Sequence, residues 1–579
     1  MKAFFAAIAF CIFLFIPFYL TSSPSEGWVS FVRPSPESFH PVPGKEGGQL
    51  RFVLISDPKT LNPALAQETS STAVISDLFS GLTKVDLKTM QVIPDLSERW
   101  EEKEGGKVYV FYLRKDVKWS DGKPFTAEDV VFTYRDIYLN PKIPNSTGDM
   151  FRGLLKGEED VKNFVKQVDK YTVEFRLPQP FAPFLNALSA AILPKHKLEK
   201  HVKDNTFMTA WNVNTDPREI VGTGPYVLTK YVKGVLVEYS ANPYYYERDQ
   251  YGKQMPYIKS RVGYILQDPD TAILKFSLGE VDYLGVRPQD LLFVSNIKGV
   301  NLFDLGPTPS TTFLVFNMNP KADIPKHKLS WFQNEKFRKA ISYAIDREGI
   351  CYLVYNGLAE PLYGPITPAN RPYYEKGLFP VYEYDLKKAK AILESIGFRD
   401  RDGDGWLEDA QGNRLEIVLL TNAGNKEREA IGNMVKEDLE KIGVKVIFRP
   451  IDFNTLVSKL TSPPFGWEAV IIGLTGSMDP HFGRNVWHSS GTLHMWHPRQ
   501  EKPHTEWERE IDELLDRGAV ETNLEKRIEL YRQVYRIIAE KQPLIFLVTP
   551  KSMLSAKKEL ENLFPTVWGW YKEEALSFR

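Results

Sequence analysis

The chain has 579 residues, 43% of them hydrophobic and 25% charged, and a formal net charge of -1. This length is too great for one compact core and predicts two or more domains. The balanced charge argues against nucleic acid or an acidic membrane surface as main partner, and the composition is that of a soluble globular protein.

The N-terminus reads as a targeting segment. Met1-Lys2 is a short basic start, Ala3 to Leu20 is apolar throughout, and small polar residues follow from Thr21. A cleaved signal over 1–22 is expected, although the run just reaches membrane-spanning length and leaves an uncleaved anchor open. Phe10 precedes Cys11, which argues against acylation. With the signal removed, Cys351 is the one cysteine left, so no intramolecular disulfide is expected. Residues 23–47, with Pro34, Pro36, Pro41 and Pro43, read as a linker.

Strands are expected at Gln49–Leu54, Val108–Leu113, Tyr171–Leu177, a pair from Tyr226 through Tyr239, Thr312–Asn317, Arg414–Leu420, Val444–Ile451 and Glu468–Gly473. Helices are expected over Thr69–Leu82, from a Thr126 cap through Phe132, and over Asn334–Asp346. Three more run from Asp385 to Gly397, over Lys426–Ile442, and from an Asn523 cap to Ile538. Their apolar residues recur at three- and four-residue spacing, as Ile431, Val435, Leu439 and Ile442 do. The alternation predicts an α/β class with mixed sheets.

Signatures of catalysis are missing. Phosphate-loop and zinc-protease patterns do not occur, and Gly473-Leu474-Thr475-Gly476-Ser477 lacks the glycine spacing of a serine-hydrolase elbow. A binding protein rather than an enzyme is expected. The clearest chemical motif is Asp400-Arg401-Asp402-Gly403-Asp404-Gly405, which opens like a calcium loop. Asp400, Asp402, Asp404, the Trp406 carbonyl and Glu408 are its candidate ligands for a structural calcium, although position twelve is Gln411 rather than Glu. The competing reading is a plain Asp-Gly hairpin, and no other cofactor is expected. His481, His488, His494, His497 and His504 crowd one stretch, but their spacing matches no recognised metal cage; a loop lining a cleft is preferred.

Several segments together resemble solute-binding protein family 5, the oligopeptide-, dipeptide- and nickel-binding proteins of ABC transporters. They are Asn62-Pro63-Ala64, the run Trp119-Ser120-Asp121-Gly122-Lys123-Pro124-Phe125-Thr126-Ala127-Glu128-Asp129-Val130, the turn Gly222-Thr223-Gly224-Pro225-Tyr226, Asn242-Pro243-Tyr244-Tyr245, and Arg338 through Arg347. The resemblance covers about 48–560 and implies a two-lobed, three-part periplasmic-binding-protein fold of class II with an interdomain cleft. Lobe I would hold 48–80, 222–305 and 545–579, with an extra subdomain at 81–221; lobe II would hold 306–544. It further implies an exported monomer, in the periplasm or at the outer face of the cytoplasmic membrane, that hands a peptide or other small solute to ABC permease subunits.

Ligand contacts are expected in the loop Thr475, Gly476, Ser477, Met478, Asp479, with Arg484, Trp487 and Trp496 on the cleft wall and Thr69 and Ser70 from lobe I. In peptide-binding relatives an Asp just before the Asp-Pro-like pair anchors the peptide amine. Here the loop is one residue shorter, so Asp479 either substitutes for it or caps the turn at Pro480. A sugar ligand, and a metal or haem carrier built on the histidines, remain the alternatives.

Overall fold

The computed structural model describes residues 30–34, 39, 41–66, 69–152, 154–155, 157–491 and 493–579. The expected signal over 1–22 lies outside them, as does much of the expected linker. No helix among the described residues is long and apolar enough to cross a membrane.

Strands form where apolar residues alternate. In Gln49–Leu54, Leu50, Phe52 and Leu54 are buried and the residues between them are not. This strand pairs parallel with Ser260–Ile265, which continues antiparallel to Leu236–Ala241 and Tyr226–Val232. A second sheet, Ser97–Lys103, Val108–Leu113, Thr172–Arg176 and Val165–Asp169, is wholly antiparallel and shares the same apolar core. Together they make the first lobe.

The second lobe is built around Ser310–Phe316. Ala469–Thr475 flanks it on one side and the first half of Leu544–Lys557 on the other, both antiparallel. Glu416–Asn422 and Lys445–Ile451 extend the sheet in parallel, joined by helix Lys426–Glu440. The α/β class with mixed sheets is therefore realised.

Two adjacent strands carry the chain between the lobes. Phe303 packs in the first lobe with Leu50, whereas Phe313 belongs to the core of the second. Likewise Leu544–Val548 sit in the second lobe and Leu554 and Ala556 in the first. The crossing thus falls at Pro307–Pro309 and Thr549–Lys551, where the Thr308 N–H donates to the Pro550 carbonyl at 2.9 Å. The sequence reading placed no strand here and began the return to lobe I at 545; Pro550 stands inside this strand. Its missing N–H is tolerated where the strand changes partners.

The described part of 23–47 is laid on the first lobe and does not stand away from it as a free linker. Val32 bridges Phe303, Phe39 packs on Phe564, and the Val42 N–H donates to Asn562. The Phe31 and Phe39 rings pack against the lobe, while Val32 and Val42 are held by backbone contacts.

The shared motifs are mostly structural. Trp119 is fully buried, its indole N–H pointing at Asp129, which also closes the capping box with Thr126. Gly222 and Gly224 let two segments touch: an added Cβ would stand 1.8 Å from the Leu78 carbonyl oxygen and 2.4 Å from that of Asp77.

Candidate functional site

Beside the crossing, in the second lobe, lies a cavity of about 250 Å³. Ser310, Thr311 and Thr312 form one wall, Gly473 to Thr475 another, and Pro550 and Tyr355 close it. Asn425, Glu427 and Arg428 reach it from the start of helix Lys426–Glu440. Strands Glu416–Asn422 and Ala469–Thr475 run parallel and end here, the carboxyl edge where open α/β sheets place their ligands.

Arg428 dominates its chemistry. Asn425 caps the helix by accepting the Arg428 backbone N–H at 2.9 Å, which fixes where the side chain starts. Arg428 Nη1 donates to Asn422 Oδ1 at 2.8 Å. On the other side Gly473 makes room: a Cβ there would stand 2.9 Å from Arg428 Nη2. Among the described residues this guanidinium forms no ion pair. Burial lowers its pKa, and the nearby Tyr355 and Glu427 only partly offset that. Hydroxyls of Ser310 and Thr475, 3.4 Å apart, line the same space.

The expected loop is only partly at the cavity. Thr475 lines it. The Gly476 N–H donates to the Pro309 carbonyl, the Ser477 carbonyl accepts from Asn370, and Met478 is half-buried. Asp479 is buried, and its two oxygens meet Arg527 at 2.7 and 2.8 Å while Oδ1 also accepts the His481 N–H. The cation that the sequence reading sought in a ligand is supplied by the chain itself. Arg484 pairs with Asp516 at 2.6 Å. Trp487 and Trp496 are core residues rather than a cleft wall; Trp496 is fully buried with its indole N–H on Glu508 at 3.0 Å. Thr69 and Ser70 begin helix Thr69–Ile75 in the first lobe, the former exposed and the latter half-buried, and do not line the cavity.

The histidines do not converge on one centre among the described residues: His497 and His504 stand with ring centroids 4.8 Å apart, and His504 is exposed. His481 meets the Phe181 ring of the first lobe at 5.2 Å, where the Ala182 N–H also donates to the Ala519 carbonyl, and His494 is buried. Among the described residues the one group of three or more candidate ligands within 4.8 Å of one another is Asp400, Asp402 and Glu408, with no histidine in it. Sequence reasoning missed Arg428, Tyr355 and Asn425. An Asn cap followed by a helix was legible, but nothing local marks which polar residue of its first turn faces a cavity.

A family model described as "Bacterial extracellular solute-binding proteins, family 5 Middle" matches residues 91–492. The oligopeptide-binding protein AppA of Bacillus subtilis is 30% identical over 529 residues, 90% of this chain and 89% of that one. Its solved structure in complex with a nonapeptide superposes with a TM-score of 0.72 at 28% identity, covering 93% of this chain and all of the other. The dipeptide-binding protein of Escherichia coli is 26% identical over 523 residues, 87% of this chain and 90% of the relative. NikZ from Campylobacter jejuni in complex with Ni(L-His) gives a TM-score of 0.71 at 26% identity, covering 90% and 99%.

Proposed function

The chain belongs to the bacterial extracellular solute-binding proteins of family 5, and on that premise we propose that it takes a peptide between its lobes and hands it to the membrane subunits of an ABC importer. It acts outside the cytoplasmic membrane as a monomer and works by affinity and closure, not by chemistry. A solute that touches both lobes only when they are shut stabilises the shut form, which the permease reads.

The observation that carries the peptide reading is Arg428: a guanidinium that forms no ion pair among the described residues, beside hydroxyls, at the edge of a cavity. Every free peptide ends in a carboxylate, which a guanidinium receives with two parallel hydrogen bonds. Glu427 on the same wall offsets the charge, which favours a singly charged terminus over a phosphate dianion. The volume of about 250 Å³ falls short of the ~300–1,000 Å³ of pockets that enclose a whole ligand, so it takes one end of a longer solute. Relatives named for peptide binding support the same reading.

Native mass spectrometry of the gently purified protein tests the ligand class. A ladder of peptide masses is expected, and a hexose series or a metal chelate in its place would remove the peptide reading. Calorimetry tests the residue. A free-acid peptide should bind roughly ten- to hundredfold more tightly than its C-terminal amide, as a charge-assisted bond of ~1.5–3 kcal/mol implies. In Arg428→Gln the two should bind alike. Equal affinities in the unaltered protein would take Arg428 out of recognition.

A further inference from the structure

We propose that Asp400, Asp402 and Glu408 form a calcium site on the second lobe, separate from the solute cavity. The loop lies between helix Leu386–Ser395 and strand Glu416–Asn422. Reciprocal backbone bonds between Arg399 and Glu408 close its base. Gly403 and Gly405 take left-handed φ of +78° and +93°, which lets the chain coil back on itself. Asp400 accepts the N–H groups of Gly403 and Gly405, and this holds its carboxylate inward.

One oxygen from each of Asp400, Asp402 and Glu408 lies within 4.8 Å of the others. Acidic loops are common without an ion, so the deciding observation is Glu408. Its residue is 6% exposed, and Oε2 accepts the Arg401 N–H at 2.8 Å. Oε1 is buried with no hydrogen-bond partner among the described residues. A carboxylate oxygen withdrawn from water and given no donor is destabilising unless a cation meets it. Asp404 is not part of the set: it pairs with Arg414, which also comes within 3.7 Å of Asp402.

The ligand chemistry selects the metal. An all-oxygen set suits hard cations. Calcium takes about six to eight oxygens in a flexible geometry, so the Trp406 carbonyl and water complete its shell around the three carboxylates, whereas magnesium demands a near-ideal octahedron. Without a glutamate at position twelve the site is weak, on the order of 10⁻⁴–10⁻³ M, as in extracellular calcium modules.

The test uses the whole exported chain after chelator treatment. Calorimetry with CaCl₂ should show one site in that range, with MgCl₂ at least about tenfold weaker. Terbium bound there should luminesce on tryptophan excitation through Trp406, and calcium should quench the signal by displacement. Asp402→Asn and Glu408→Gln should each weaken calcium about tenfold or more, whereas Trp406→Phe should dim terbium and leave the calcium heat intact. Asp402 is exposed, so Asp402→Asn keeps the fold and decides the matter even where Glu408→Gln does not fold. No calcium heat up to about 10 mM, or unchanged affinity in Asp402→Asn, would overturn the proposal.

Discussion

Asp479 caps the short turn Pro480–Gly483 and Arg428 lies in the first turn of helix Lys426–Glu440, and their surroundings give them opposite work. Asp479 faces Arg527 in a two-pronged pair whose side chains are 9% and 6% exposed. Arg527 spends its other donors on the Gly518 carbonyl and the Tyr373 hydroxyl, so the pair is internally complete. Removing one partner of such a pair leaves a buried charge and costs about 3–5 kcal/mol. Asp479→Asn should therefore lower the melting temperature of the empty protein sharply and alter peptide affinity little. Thermal melts beside calorimetry would check it. A normal melt with lost peptide binding would return Asp479 to the cleft.

At the level of elements, the C-terminal turn Glu573–Ala575 plugs the first lobe. Glu574 is half-buried beside Glu247, which Lys84 pairs with while also reaching Asp95. Burial pushes the Glu574 carboxyl up to about 8; the Glu247 charge adds to this and Lys84 opposes it. Glu573, beside Arg261 and Asp77, is pushed up in the same direction, to about 7. A carboxyl whose folded pKa is raised holds its proton through neutrality. Its contribution is full below the unfolded value near 4.5 and is lost as pH rises through about 8. Glu574→Gln keeps the neutral hydrogen-bonding form at every pH. Its melting temperature relative to the unaltered protein should rise between about pH 5 and 8 and level off above that. A gap that does not change with pH would contradict a raised Glu574 carboxyl.

For the whole molecule, the two crossing strands are the natural hinge. Register slips between Asp304 and Pro307, and Gly306 sits there at φ +81°. Opposite the hinge, the lobes meet at Phe181 and His481 and at Ala182 and Ala519. A saturating peptide should shift the population toward this closed arrangement, seen as a smaller radius of gyration in solution scattering. Identical curves with and without peptide would sink closure as the mechanism.

Much of this protein is determined by local pattern. The period of apolar residues placed Gln49–Leu54 as a strand, and Lys426–Ile442 within two residues of its observed helix, because a sheet or helix face must bury one side wherever it packs; Val108–Leu113 is instead an unbroken apolar run, buried on both faces. The Trp119 run and the Gly222 turn identified the family, because that packing tolerates few substitutes. What only the tertiary structure decided is which charges have partners. Asp479 lies 48 residues from Arg527, and Arg428 lies 45 from the Gly473 that admits it. Sequence patterns see a few residues in either direction, whereas the neutralising charge, or its absence, is set by whatever the fold brings alongside. The same limit hid the crossing strand, where Pro550 breaks a local pattern that the two lobes jointly complete.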